Sequence, residues 1–256
     1  MEKILKIHSF GKTDCGLLRD NNEDAYWLSD LYHTYAVADG LGGLPQGELA
    51  SHLAIESLER HVERAYRAQS KNNNPKDPLL SVRLDWNTIV LALNEVVYQK
   101  GLALGVSIGI GTTLSLIHIA ENTLHLAHVG DSGVYILRNK VLEKLTKDHT
   151  LAQNILDSLR PEEPVPEIPD YFHHTLTRCL GHPEGVEVDQ LSLALEGGER
   201  ILLYTDGITK VLADDDLAQL IRFSESPQAL VETIIAEANH RGGPDNSTAI
   251  ALFVEG

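Results

Sequence analysis

Apolar residues between positions 48 and 68 fall three and four apart. Ala50, Leu53, Ala54, Leu58, Val62 and Ala65 make one stripe, which predicts an amphipathic helix. A second stripe, Trp86, Ile89, Val90, Leu93 and Val97, predicts a helix over about 86–99. Elsewhere the apolar positions form short runs bounded by polar turns, at 34–38, 113–119, 123–129, 133–138, 200–204 and 248–254. Runs of that length predict buried strands. Gly130-Asp131-Ser132-Gly133 reads as a hairpin turn between the strands on either side of it. Two more helices are expected at about 214–223 and 227–240. The second opens on Ser226-Pro227 as N-cap and first helical residue, and Asp214, Asp215 and Asp216 suit the first turn of the other.

The interruptions are as informative as the runs. Residues 71–78 are a polar, Asn/Pro-rich linker. Pro161, Pro164, Pro166 and Pro169 exclude a regular helix there, so residues 151–178 are expected to form an exposed flap. Residues 101–120 carry no Asp, Glu, Lys or Arg and have about the length of a bilayer span. Their four glycines, interspersed with Ser and Thr, point instead to a glycine-rich loop followed by a buried strand. Strands and helices come in blocks and not in strict alternation, which predicts an α+β arrangement of antiparallel sheets covered by paired helices. No repeat divides the chain, so residues 1–256 are read as one domain.

Charge narrows the partners. The 37 acidic against 21 basic residues leave a net charge of −16. That argues against nucleic acid, whose binding needs a basic face. Cys15 and Cys179 are the only cysteines and stand far apart, and the opening MEKILKIHSFG has no apolar core of a signal peptide. A reducing, cytoplasmic setting with free thiols is expected, with no membrane partner and a monomeric state.

Four aspartates stand where an apolar run meets a glycine or asparagine turn: Asp39 before Gly40, Asp131 after Gly130, Asp206 before Gly207, and Asp245 before Asn246. Carboxylates at strand ends sit at the rim of a sheet, and several rims together make an oxygen cluster that is costly unless cations neutralise it. Oxygen-only ligation selects Mg²⁺ or Mn²⁺ over Zn²⁺. In Arg19-Asp20-Asn21-Asn22-Glu23-Asp24 a calcium loop fails, because Ala25 and Leu31 occupy the positions that need Gly and Glu. There Arg19 is read as a phosphate fork and Asp24 as an acid acting behind the metals. Of the twelve histidines, His149 is kept as a proton carrier, and the rest, His173 and His174 included, are taken as surface or packing residues. No P-loop lysine, dinucleotide spacing or Gly-x-Ser-x-Gly elbow is present.

Taken in order, these motifs resemble the metal-dependent Ser/Thr protein phosphatases of the protein phosphatase 2C (PPM) family in their compact bacterial form. The resemblance rests on Arg19-x-x-Asn22-Glu23-Asp24, Val37-Ala38-Asp39-Gly40-Leu41-Gly42-Gly43 and Gly111-Thr112-Thr113. It continues through His128-Val129-Gly130-Asp131-Ser132, Leu145-Thr146-Lys147-Asp148-His149, Thr205-Asp206-Gly207-Ile208 and Gly243-Pro244-Asp245-Asn246-Ser247-Thr248. It implies a four-layer α-β-β-α sandwich with a metal cleft at one end. Asp39 would bridge two Mn²⁺ or Mg²⁺ ions, the Gly40 carbonyl would join one of them, and Asp206 and Asp245 would hold the other. Asp131 would share a weaker third ion with Asp206, Arg19 would bind phosphate, and Asp24 would act through metal-bound water. The implied activity is hydrolysis of phosphoserine and phosphothreonine in proteins by a metal-activated water, without a phospho-enzyme, opposing a bacterial Ser/Thr kinase.

Two departures stand out. Leu41 occupies a position where eukaryotic members often carry a histidine proposed as general acid, and Gly133 replaces the arginine that usually follows Gly-Asp-Ser. The rival reading is a catalytically inactive regulatory module on the same fold. Such a copy would be expected to lose a metal-bridging acid, and Asp39, Asp206, Asp245 and Arg19 are all present.

Overall fold

The computed structural model describes residues 5–41, 46–70, 82–106, 109–160 and 162–256. The chain begins with β1 (Lys6–Asp14), β2 (Asp24–Ser29) and β3 (Thr34–Asp39), followed by α1 (Gly47–Ser70) and α2 (Trp86–Ala103). Then come β4 (Leu114–Ala120), β5 (Thr123–Val129), β6 (Gly133–Arg138), β7 (Val141–Lys144) and α3 (Leu151–Ser158). After a 3₁₀ turn at Asp170–His174 the chain runs through β8 (Asp189–Ala194), β9 (Arg200–Tyr204) and α4 (Asp206–Thr209). It ends in α5 (Asp214–Phe223), α6 (Pro227–His240) and β10 (Ser247–Glu255). Two five-stranded sheets result, in the orders β1-β10-β9-β6-β7 and β2-β3-β4-β5-β8. Every pairing is antiparallel.

Three apolar layers hold four layers of structure together. In β3, alternate side chains point to opposite faces. Ala36 and Ala38 meet Ala50, Leu58, Val62 and Leu93 of α1 and α2, while Tyr35 and Val37 enter the core between the sheets with Ile136, Leu203 and Ile250. The far face of the second sheet, with Leu202, Tyr204 and Ala251, is covered by Leu217, Ile221, Leu230 and Ile234 of α5 and α6. This is the four-layer α-β-β-α sandwich the motifs implied. The expected bounds of α5 and α6 hold, with Ser226 Oγ accepting from the Ala229 N–H at 3.1 Å.

One expected connection is wrong. Residues 130–133 are not a hairpin turn, because β5 and β6 belong to different sheets and the segment carries the chain across the sandwich. The tight hairpins are two-residue turns at Glu121-Asn122 (φ 49 and 56°) and Asn139-Lys140 (φ 51 and 69°), left-handed at both residues as such turns require. The helix expected to stop near residue 99 runs on to Ala103, through Gly101, whose bare Cα lets the Ile110 backbone approach. The flap region opens on α3, ahead of its prolines, and continues as mostly exposed chain. The linker expected at 71–78, Pro161, and Gly42-Gly43 lie outside the described residues. Among the described residues no helix is long and apolar enough to cross a membrane.

Candidate active site

The antiparallel order brings the predicted acids to one end of the sandwich. Asp39 closes β3 opposite Asp24, the first residue of β2. Asp131 follows β5, Asp206 opens α4 just after β9, and Asp245 precedes β10. A cavity of 650 Å³ at this rim is lined by Asp39, Gly40, Asp131, Asp206 and Asp245, with Arg19, Leu41, His174 and Lys210 also on its wall.

Backbone crowding explains the glycines beside the acids. A Cβ on Gly40 would strike the Gly47 carbonyl and come within 2.7 Å of the Glu23 carbonyl, and one on Gly207 would strike the Asn246 carbonyl. Asn246 ties the site together. Its Oδ1 accepts from the Glu23 N–H at 2.8 Å, and its Nδ2 donates to the Cys15 and Asn21 carbonyls at 2.8 and 2.9 Å. The Asp39 N–H donates to Thr113 Oγ1 at 2.9 Å, and Thr113 Oγ1 lies 2.6 Å from Ser132 Oγ beside Asp131.

Asp24 does not line the cavity. It lies behind it, 3 % exposed. Thr205 and Thr248 hydroxyls donate to its Oδ2 at 2.8 and 2.6 Å, while its Oδ1 has no partner among the described residues. Burial pushes its carboxyl up to about 7, with the Asp206 and Asp245 charges adding to that and the two threonines opposing. Burial, with Asp206 and Asp148, raises Asp131 to about 8, and burial with Asp24, Asp206 and Asp131 holds Asp39 well above the carboxylate range. At Asp206 burial also pushes upward, but His174 and Lys210 outweigh it and keep the carboxyl below its ordinary value.

The donor set fits a hard divalent ion. Every candidate ligand is an oxygen, the acids are crowded and desolvated, and added positive charge would relieve them. Among the described residues no three His, Cys, Asp or Glu side chains converge as a ready cage. Two of the acids are instead turned onto basic side chains. Asp245 Oδ2 accepts from Arg19 at 2.9 Å and from Lys210 at 2.5 Å, and Lys210 also reaches Asp206 at 2.7 Å.

The sequence reading missed Lys210 and His174. Lys210 follows Asp206 by four residues, the spacing of an ion pair on one helix face, so it was discoverable. His174 arrives from the flap's 3₁₀ turn to lie 3.8 Å from Asp206, which no local pattern announces. His149, kept as a proton carrier, is corrected. It is 6 % exposed and off the cavity wall. Its Nδ1 accepts from the Gly130 N–H at 3.0 Å, and its Nε2 faces Asp189 at 3.1 Å. Gly133 also finds its reason here, since a Cβ would collide with the Tyr204 ring, which stacks on Tyr135 with centroids 5.1 Å apart.

Comparison with known proteins agrees with this geometry. A sequence model described as Protein phosphatase 2C matches residues 19–240. The serine/threonine phosphatase stp of Listeria monocytogenes serovar 1/2a is 30% identical over 253 residues, covering 96% of this chain and 95% of that protein. The serine/threonine protein phosphatase PstP of Mycobacterium tuberculosis H37Rv is 32% identical over 254 residues, 98% of this chain, which spans only 45% of that relative's length. The crystal structure of the PstP catalytic domain in complex with two manganese ions superposes with a TM-score of 0.78 at 30% identity, covering 99% of this chain and 100% of that one. With the family's sequence model spanning most of its length and its sandwich matching a solved member end to end, the chain belongs to the protein phosphatase 2C family.

Proposed function

We propose that the chain is a metal-dependent phosphoprotein phosphatase that hydrolyses phosphoserine and phosphothreonine. One observation carries the reading: four strand-end aspartates and a phosphate-binding type of side chain, Arg19, share one cavity. Family membership and the names of its relatives support the reaction class. The metals are Mn²⁺ or Mg²⁺, the former by analogy with the manganese-bound PstP domain. Asp39 would bridge two ions, the Gly40 carbonyl would join one, Asp206 and Asp245 would hold the other, and Asp131 with Asp206 would take a weaker third. Bound ions of this kind supply Lewis acidity and lower the pKa of a water toward neutrality.

The chain's own residues do the rest. Arg19 is 43 % exposed, and its planar fork is suited to two phosphate oxygens. Asp24 is held by Thr205 and Thr248 as an acceptor behind the cavity. Leu41 carries no exchangeable proton, so it cannot protonate the leaving alkoxide. No side chain is needed as a covalent nucleophile. The natural substrates on this reading are phosphorylated proteins made by a cognate bacterial Ser/Thr kinase. The compartment is the cytoplasm, where the two free cysteines are at home. The chain is proposed to work as a monomer.

The test is hydrolysis of p-nitrophenyl phosphate and of a phosphothreonine peptide. Mn²⁺ should be required, EDTA should abolish turnover, and Asp39→Ala should lose at least about 10²-fold in kcat, the scale of one lost stabilising group at a reacting centre. Wild-type turnover by Asp39→Ala, or activity indifferent to EDTA, would refute it.

A further inference from the structure

Lys210 stands among the acids proposed to bind metal. It caps the short helix α4 one turn after Asp206, its N–H bonded to the Asp206 carbonyl at 2.9 Å. That register returns its side chain onto the Asp206 carboxylate. Nζ lies 2.8 and 2.7 Å from the two Asp206 oxygens and 2.5 Å from Asp245 Oδ2. An ammonium has three N–H donors, and three carboxylate oxygens from two proposed ligands occupy them. The side chain is 23 % exposed, so the pair is only partly screened by water. Arg19 adds a second cation on Asp245 Oδ2.

We infer that Lys210 is a resident counter-ion, holding the oxygens of Asp206 and Asp245 when no divalent ion is bound and thereby setting the ion concentration at which the site loads. The inference rests on the metal reading proposed above and goes one step further. A divalent ion needs those same oxygens. It would also bring two positive charges against the ammonium, so Lys210 and the ion exclude each other. The lysine stem has four rotatable carbons and can withdraw into the 650 Å³ cavity without disturbing α4. The gain for the metal-free protein is a neutralised acid pair; the cost falls on metal affinity. By linkage, each weakens the other by the same factor.

The experiment is calorimetric titration of Mn²⁺ into the metal-free 256-residue chain, for wild type, Lys210→Met and Lys210→Gln, with melting temperatures taken with and without Mn²⁺. Met keeps the stem and removes the charge, and Gln keeps a hydrogen-bond donor should the Met variant fail to fold. Both variants should bind Mn²⁺ about tenfold more tightly or better, within the range usual for linked binding events. Their melting temperatures should fall below wild type without metal and recover with it. Mn²⁺ affinities within twofold of wild type in both variants would overturn the inference. So would an unchanged affinity with a raised KM for p-nitrophenyl phosphate, which would make Lys210 a substrate contact. Failure of all three proteins to take up Mn²⁺ would refute the metal reading itself, and the role of Lys210 with it.

Discussion

Asp24→Asn separates what the site costs the fold from what it does for the reaction. The Asp24 carboxyl is 3 % exposed and raised from 3.8 to about 7, chiefly by burial. The folded protein therefore binds a proton here that the unfolded chain has released at any pH between those values. More protons bound in the folded state means that stability falls as pH rises through the window. Roughly three pKa units at 1.36 kcal/mol each set a ceiling of about 4 kcal/mol of destabilisation, fully expressed above pH 7. About 3 kcal/mol of it develops between pH 5 and pH 9. Asparagine keeps an oxygen for the Thr205 and Thr248 hydroxyls and never ionises. Its amide also places a donor where Oδ1 is unpartnered, at a cost of about 1–3 kcal/mol that does not depend on pH. The measurement is urea denaturation of both proteins in EDTA at several values from pH 5 to pH 9. The titration of Asp131, which Asp24 does not drive, is common to both proteins and cancels, while Asp39, which the Asp24 charge helps to raise, is relieved in the variant and shifts the difference in the same direction. The stability of the variant relative to wild type should rise by about 3 kcal/mol across that range, while its Mn²⁺-dependent turnover falls. A difference that stays constant with pH would refute the reasoning.

Three further outcomes follow from named contacts. Gly133→Ala places a methyl against the buried Tyr204 ring and should lower stability by about 1–3 kcal/mol, read as a lower urea midpoint at unchanged slope. Arg19→Ala should raise KM for p-nitrophenyl phosphate about tenfold and change kcat less, because the guanidinium serves ground-state and transition-state phosphate alike; a pure kcat loss would contradict that. Asn246→Ala strands the Glu23 N–H and the Cys15 and Asn21 carbonyls. It should cost about 2–4 kcal/mol and lower kcat/KM through the loosened Arg19 loop, as read by denaturation and steady-state kinetics.

What the chain disclosed in advance divides along a physical line. Features decided within one turn of helix or one strand were legible. The α1 stripe, the Ser226-Pro227 start of α6 and the Asp-Gly strand ends each need only neighbours in sequence. Features decided by which strand pairs with which were not. Gly130-Asp131-Ser132-Gly133 has hairpin chemistry, yet β6 leaves β5 to pair with β9, whose residues lie more than sixty positions on. The strands β1 and β2 were missed for a related reason. Their burial is mixed along their length, so neither presents the continuous apolar run of a central strand.

The same line runs through the site and explains why His174 was overlooked, whereas Lys210, one helical turn from Asp206, lay on the legible side of it. An aspartate at a strand end signals its chemistry by itself, because the backbone at Gly40 is crowded on two sides by Gly47 and Glu23 and admits no side chain. Lys210 and His174 have meaning only through Asp206, one from the next helical turn and the other from the end of a flap more than thirty residues upstream. Their effect is nevertheless decisive for the acids. Asp39 and Asp131, facing other carboxylates, are driven upward, whereas Asp206, also buried but paired with Lys210 and close to His174, is held down. The acids most in want of added positive charge are therefore Asp39 and Asp131, and the one best supplied by the protein itself is Asp206. Loading by divalent ions should meet its resistance at Asp206 and Asp245, where Lys210 has first to withdraw.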